Sequence, residues 1–377
     1  MSTDDSLPEP DRIEGAPHPR ETTNLLGQGP GEATFLDAFN SGRLHHAWLI
    51  TGPRGVGKAT LAWRIARFLL ATPPAQDVGF FGDAPPAATT LDIDPENPVS
   101  RRMLALSEPG LFLLRRPWDE KTKRLKQAIT VDEARKLKGF FSLSAAGGGR
   151  RVVIVDAADE LNSNAANAIL KLLEEPPEGA VLLLVSHQPS RLLPTIRSRC
   201  RELRLATLSP DDLSQALQNA GEQPAANTQA LGELAGGSVG EALRLTQLDG
   251  LKLYSQITGI FAQAPRYDRP GALKLADSAT GKTAAPRFDL ILRLLDLFLA
   301  RLARQGAGLP PAAPASDTEF ALLERLSPTP HAARKWAALQ QELSARASHG
   351  RAVNLDPAAL ILDMVFRINE TAAQQAA

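Results

Sequence analysis

The chain has 377 residues, enough for two or three domains each with its own core, and its 42 basic and 42 acidic residues give a formal net charge of zero. That balance excludes a global attraction to nucleic acid or to a membrane surface and leaves only local patches. One cysteine, Cys200, excludes an internal disulfide and a cysteine-rich zinc module, and it fits a reducing cytoplasm.

Residues 1–22 are polar, acidic early on and rich in proline. They lack the basic start and apolar middle of a secretory signal, and their composition predicts a mobile arm. No apolar run approaches the roughly 18 residues of a membrane span, so a soluble, cytoplasmic protein without membrane partners is expected. "HHAWLITG", His45 to Gly52, predicts a buried parallel strand. A helix follows with Leu61, Ile65, Phe68 and Leu69 at helical spacing, and Pro73-Pro74 stops it. From Pro73 to Pro117 the composition predicts a mostly irregular excursion containing one strand, Gly110 to Arg116.

"ITVDEARKLKGFFSL" carries Thr130 and, three residues on, Glu133, a capping-box pattern that starts a helix. A β-branched strand, Val152 to Val155, ends in Asp156, and "SNAANAILKLLEE" is a helix closed by Pro176-Pro177. "AVLLLVS" and "RCRELRLATL" give two further strands. Strands alternating with helices predict a parallel α/β sheet covered on both faces. From Ser209 onward the segments show helical periodicity, several with a Ser, Thr, Asn or Asp cap. The expected division is a P-loop α/β domain over 23–207, a helical lid over 208–265 and a helical collar over 266–377.

Gly52, Gly55, Gly57 and Lys58 fit the phosphate-loop pattern G-x-x-x-x-G-K between a strand and a helix. The glycines let backbone N–H groups turn toward phosphate oxygens, the helix start adds partial positive charge, and Lys58 reaches the outer phosphates. An incidental glycine turn is the weaker alternative. The next residue, Ala59, stands where such loops carry a hydroxyl that binds magnesium. Thr60 does not replace it, because one residue along a helix points about 100° away. Asp156 at a strand end is the candidate second motif, against the alternative of an ordinary strand-end carboxylate. "TGKT", Thr280 to Thr283, lacks the upstream glycine and reads as a loop. His45 and His46, adjacent on a predicted strand, are expected on opposite faces. "RRPWDEKTKRLKQ", Arg115 to Gln127, is basic and reads as a solvated loop at least as well as a DNA-facing one.

"LLEEPP" after a helix, "TIRSRC" before a strand, "GRLHHAWLITGPRGVGKATLA", "ITVDEARKL" and "AGGSVGEALRL" together resemble bacterial clamp-loader subunits of the AAA+ class, over most of Leu44 to Leu245. The resemblance implies a ring-like assembly with ATP-hydrolysing gamma/tau-like subunits and a delta-like subunit, which loads a sliding clamp onto primed DNA for the polymerase III holoenzyme. Any polymerase activity then belongs to the complex. It also implies that Arg199, in Ser198-Arg199-Cys200, is an arginine finger acting in trans at a neighbour's ATP site. Hydrolysing members carry a glutamate where Ala157 stands and a γ-phosphate-sensing arginine where Gly240 aligns. The family's four-cysteine zinc module is absent, so no zinc is expected. ATP or ADP is a candidate ligand, with magnesium held weakly and hydrolysis in cis not expected. The expected role is a catalytically incomplete stator; the alternatives are a hydrolysing motor subunit and a scaffold with a fossil site.

Overall fold

A computed structural model describes residues 8–13, 16–72, 87–142, 149–222, 227–281 and 284–376. The central apolar runs, over 47–51, 151–156 and 180–185, become strands buried on both faces, which favours continuous over alternating hydrophobicity. The order is α1 (Gly29–Asn40), β1 (Ala47–Thr51), α2 (Lys58–Ala71), α3 (Pro98–Leu104), β2 (Leu111–Arg115), β3 (Trp118–Asp119) and β4 (Arg124–Leu125). Then follow α4 (Val131–Ser142), β5 (Arg151–Asp156), α5 (Ser163–Glu174), β6 (Ala180–Val185), α6 (Pro194–Arg197), β7 (Arg201–Arg204) and α7 (Pro210–Asn219). Five strands form one parallel sheet in the order β2-β5-β6-β1-β7, with β6 inserted between β1 and β5. Leu49, Val153, Val155, Leu182 and Leu184 pack on one face with Leu137 of α4 and Ile169 and Leu173 of α5. The opposite face receives α2, whose Leu61, Ile65, Phe68 and Leu69 are buried.

The chain divides into two compact units, Met1–Gly221 with Ser238–Gly240, and Glu222–Gly237 with Glu241–Ala377. The second unit is helical: α8 (Thr228–Ala235), α9 (Val239–Gln247, its first two residues in the first unit), α10 (Gly250–Phe261), α11 (Arg269–Asp277), α12 (Ala285–Gly306), α13 (Glu319–Leu326), α14 (Pro330–Ala352) and α15 (Pro357–Ala376). Asn227 and Thr329 cap α8 and α14 by accepting from Ala230 N and Ala332 N. Gly236, at φ +57°, ends α8 in the left-handed region that favours glycine. A buried ion pair organises this unit: Arg301 of α12 donates through Nε to Glu319 Oε1 at 2.7 Å, and Glu319 Oε2 also accepts from Ala315 N at 2.6 Å. Among the described residues no helix is long and apolar enough to cross a membrane.

Several local expectations are corrected. The described part of the N-terminal arm is not free: His18 is fully buried and meets Trp63 edge-on at 5.8 Å. Arg67 donates to Arg20 O at 2.6 Å, and Arg64 donates to Thr23 O. The outer face of α2 carries two arginines and a tryptophan that need cover and acceptors, and the arm supplies both. Part of the Pro-rich excursion is ordered as α3, capped by Asn97; residues 73–86 lie outside the described residues. The basic stretch after β2 folds as the β3–β4 hairpin. β1 begins at Ala47, so His45 and His46 precede it, and their rings stack at 4.4 Å instead of diverging. Of "TGKT", Lys282 and Thr283 lie outside the described residues.

Candidate nucleotide-binding site and the Arg199 corner

The phosphate loop leaves β1 at Gly52 and enters α2 through Gly57, which has φ +98° at the helix N-cap. The approach is close on every side. A Cβ on Gly57 would stand 2.5 Å from Leu25 Cδ1, and one on Gly55 would collide with Ser238 Oγ. Gln28, buried before α1, donates to Val56 O at 3.3 Å and to Ala206 O at 2.8 Å, tying the loop to the segment after β7. Thr51 closes the strand by donating to Glu202 at 2.6 Å.

Lys58 is buried, and its ammonium donates to Gly52 O at 2.8 Å and to Pro53 O. Burial pushes its pKa down to about 8, with Arg54 acting in the same direction and Asp156 and Asp159 opposing. The lysine therefore satisfies itself on its own loop. Ala59 is the second residue of α2, and no hydroxyl stands there; Thr60 is buried in the helix.

Asp156 ends β5 in register with Arg115 of β2. Burial pushes its carboxyl up to about 7, reinforced by the carboxylates of Asp11 and Glu160 and opposed by Lys58 and Arg115. Ala157, buried, offers only a methyl group in the next position. Asp159 is spent on structure: it accepts from Ser186 Oγ, from His187 N at 2.6 Å and from Gln188 N at 3.1 Å, fixing the end of β6. Burial lowers the His187 pKa to about 4, with Lys58 and Arg54 adding to the effect.

Gly240 meets the loop directly. Its N–H donates to Gly55 O at 3.2 Å, and Ser238 Oγ donates to Arg54 O at 2.8 Å. A Cβ on Gly240 would lie 2.7 Å from Ile13 Cδ1 and 3.2 Å from Gly55 Cα. The position aligned with a sensing arginine is thus filled by the N-terminal arm.

Arg199 lies elsewhere, after α6 and before β7. It donates to Thr195 O at 3.0 Å and pairs with Glu174 Oε1 at 2.8 Å, with its side chain half-exposed. Arg199 thus caps a carboxylate at the entrance to β7. Beside it, burial pushes the Cys200 thiol up to about 12, which leaves it an inert packing group.

The structure brings together Gly52, Gly55, Gly57, Lys58 and Asp156, with Ala59 and Thr60 on the adjoining helix. Sequence reasoning missed Asp11, Ile13 and Leu25, which approach the same site, and Ser186, whose only signal was its place at the end of "AVLLLVS". The backbone turn fits a phosphate. The surroundings fit a magnesium-bound triphosphate badly: the lysine is occupied, the magnesium hydroxyl is missing, and an extra carboxylate stands beside Asp156.

A phosphate loop between β1 and α2, in a parallel sheet with one strand between β1 and the strand ending in Asp156, defines a P-loop protein of the AAA+ class. Residues 32–209 match the family described as DNA polymerase III, delta subunit. DNA polymerase III subunit delta' of Pseudomonas aeruginosa is 41% identical over 204 residues, which are 53% of this chain and 55% of that protein. Subunit delta' of Escherichia coli K12 is 31% identical over 58% of this chain and 60% of its own length. Subunit gamma of Buchnera aphidicola is 26% identical over 61% and 58%. The matches thus span a little over half of these relatives. Residues 32–209 thus resemble the DNA polymerase III delta-subunit family, with delta' proteins among the relatives of that stretch.

Proposed function

We propose that this chain is a delta-prime-like subunit of a bacterial clamp loader, a stator that does not turn over ATP itself but completes a neighbour's site. One combination carries the reading: Ala59, Ala157 and Gly240 remove three groups from the chain's own site, while Arg199 is kept at the surface. A guanidinium inserted beside a transferring phosphoryl group stabilises its charge, and its planar fork suits phosphate oxygens better than an ammonium does. Only a carboxylate and a carbonyl must be released for Arg199 to reach outward. The partners are gamma/tau-like ATPase subunits and a delta-like subunit, and the assembly acts on a sliding clamp and primed DNA. Residues 208–265 serve as the lid and 266–377 as the oligomerising collar.

The second reading, a hydrolysing motor, is favoured by Lys58 and Asp156 standing at the same end of the sheet. The two separate on a simple experiment. The isolated chain is assayed for ATP hydrolysis alone and after co-purification with a gamma/tau-type partner. Turnover only in the presence of the partner supports the stator; turnover by the chain alone supports the motor.

A further inference from the structure

We propose that residues 8–13 and 16–25 form a strap that closes the chain's own phosphate-binding site to nucleotide. The inference goes beyond the trans role of Arg199 and does not depend on it.

Residues 16–23 have a plain packing role, covering α2 through His18, Arg20 and Thr23. Residues 9–13 and Leu25 do something that covering α2 does not require: they meet three separate parts of the site. Leu25 Cδ1 occupies the space where a side chain on Gly57 would begin. Ile13 Cδ1 lies against Gly240, whose N–H is bonded to Gly55 O, so it sits at the junction of the loop and the sensing position. Asp11 reaches the acid end, pairing with Arg115 at 2.7 Å, and Arg115 is the register partner of Asp156.

The anchorage is a closed set of charges. Glu9 pairs with Arg20 at 2.6 Å and with Arg115 at 3.0 Å, and His18 Nε2 lies 3.2 Å from Asp11. His18 Nδ1 accepts from Arg20 N at 3.0 Å, which leaves the Nε2 proton facing Asp11. The consequence is electrostatic as well as steric. A phosphate bound beside Asp156 would also feel Asp11, which is close enough to raise the Asp156 pKa, and like charges in a partly desolvated site repel. The raised pKa of Asp156, to which Asp11 contributes, reflects the same crowding. The strap therefore holds an acidic group near Asp156 and apolar groups against Gly57 and Gly240, and Lys58 turns back onto Gly52 and Pro53.

The probe is a fluorescent ADP, titrated into the isolated chain without and with magnesium. Deletion of residues 2–13 is expected to tighten binding at least roughly tenfold, as when a competent state rises from a tenth of the population to nearly all of it. Adding Lys58→Ala to the deletion should abolish the gain, which places it at the loop. Should the deletion fail to fold by circular dichroism, the full-length double variant Asp11→Ala, Ile13→Gly decides, with the same tightening expected. Equal affinity in parent and variants overturns the strap, and so does an absence of binding in all of them. Because the readout is ADP binding by the isolated chain, neither outcome bears on Arg199.

Discussion

At the phosphate-binding end Lys58 is 3% exposed and its ammonium is consumed by two carbonyls of its own loop, whereas the Arg199 side chain is 36% exposed and leans on one carboxylate. Both lie in the first unit, and both carry a cation suited to phosphate. The first is walled in by Leu25, Ser238, Gly240 and Ile13, which approach its glycines. The second is held by contacts that water and a partner can replace at little cost, since exposed ion pairs contribute about 0–1 kcal/mol. The difference teaches that a retained motif and an open site are read separately: the loop keeps its turn while neighbouring groups crowd its glycines, and the arginine has no conspicuous local architecture and stays half-exposed.

The largest expected effect is on the exposed side. In a reconstituted assembly, Arg199→Ala should slow hydrolysis at the receiving site by roughly 10³–10⁵ in single-turnover measurements, while leaving urea unfolding of the isolated chain unchanged. The enclosed side should answer to pH instead. Asp156 holds its proton more tightly in the folded chain, with its pKa raised from 3.8 to about 7, so the fold loses stability as pH rises through that window. Asp156→Asn should match the parent near pH 4 and exceed it at pH 8 by on the order of 4 kcal/mol in urea unfolding.

Restoring an arginine where the family senses γ-phosphate should fail for lack of room. Gly240→Arg should destabilise by about 1–3 kcal/mol, as overpacking does, because its Cβ already meets Ile13. A thermal melt checks this, and an unchanged melting temperature would show that Ile13 yields freely. The smallest effect is at Glu174: Glu174→Gln should change stability by no more than about 1 kcal/mol, the value of a surface pair. It should leave assembly turnover intact, because the residue only parks Arg199.

Much of this was legible because the relevant signals are local. The buried strands are continuous apolar runs, the loop is a fixed spacing, and the caps of α7, α8 and α14 are single residues beside apolar periodicity. The N-terminal segment was not legible. Its proline-rich, charged composition looks like that of a disordered arm, and its partners Trp63, Arg64, Arg67 and Arg115 come from α2 and β2, which only the fold brings near. The bounds of α10 and α11 were less legible because Gly250, Gly259 and Pro270 carry loop signals, which burial of Tyr254, Ile257 and Phe261 overrides. The role of Asp159 was hidden for a different reason: its three donors come from the end of a strand that follows it by more than twenty residues.

The most direct test compares two substitutions within one assembly containing gamma/tau-like and delta-like partners, by steady-state ATP hydrolysis stimulated with clamp and primed DNA. Arg199→Ala should collapse the stimulated rate, Lys58→Ala should leave it within about twofold of the parent, and the double variant should equal Arg199→Ala. A loss of rate on Lys58→Ala, with Arg199→Ala unaffected, would contradict the account and make this chain a motor.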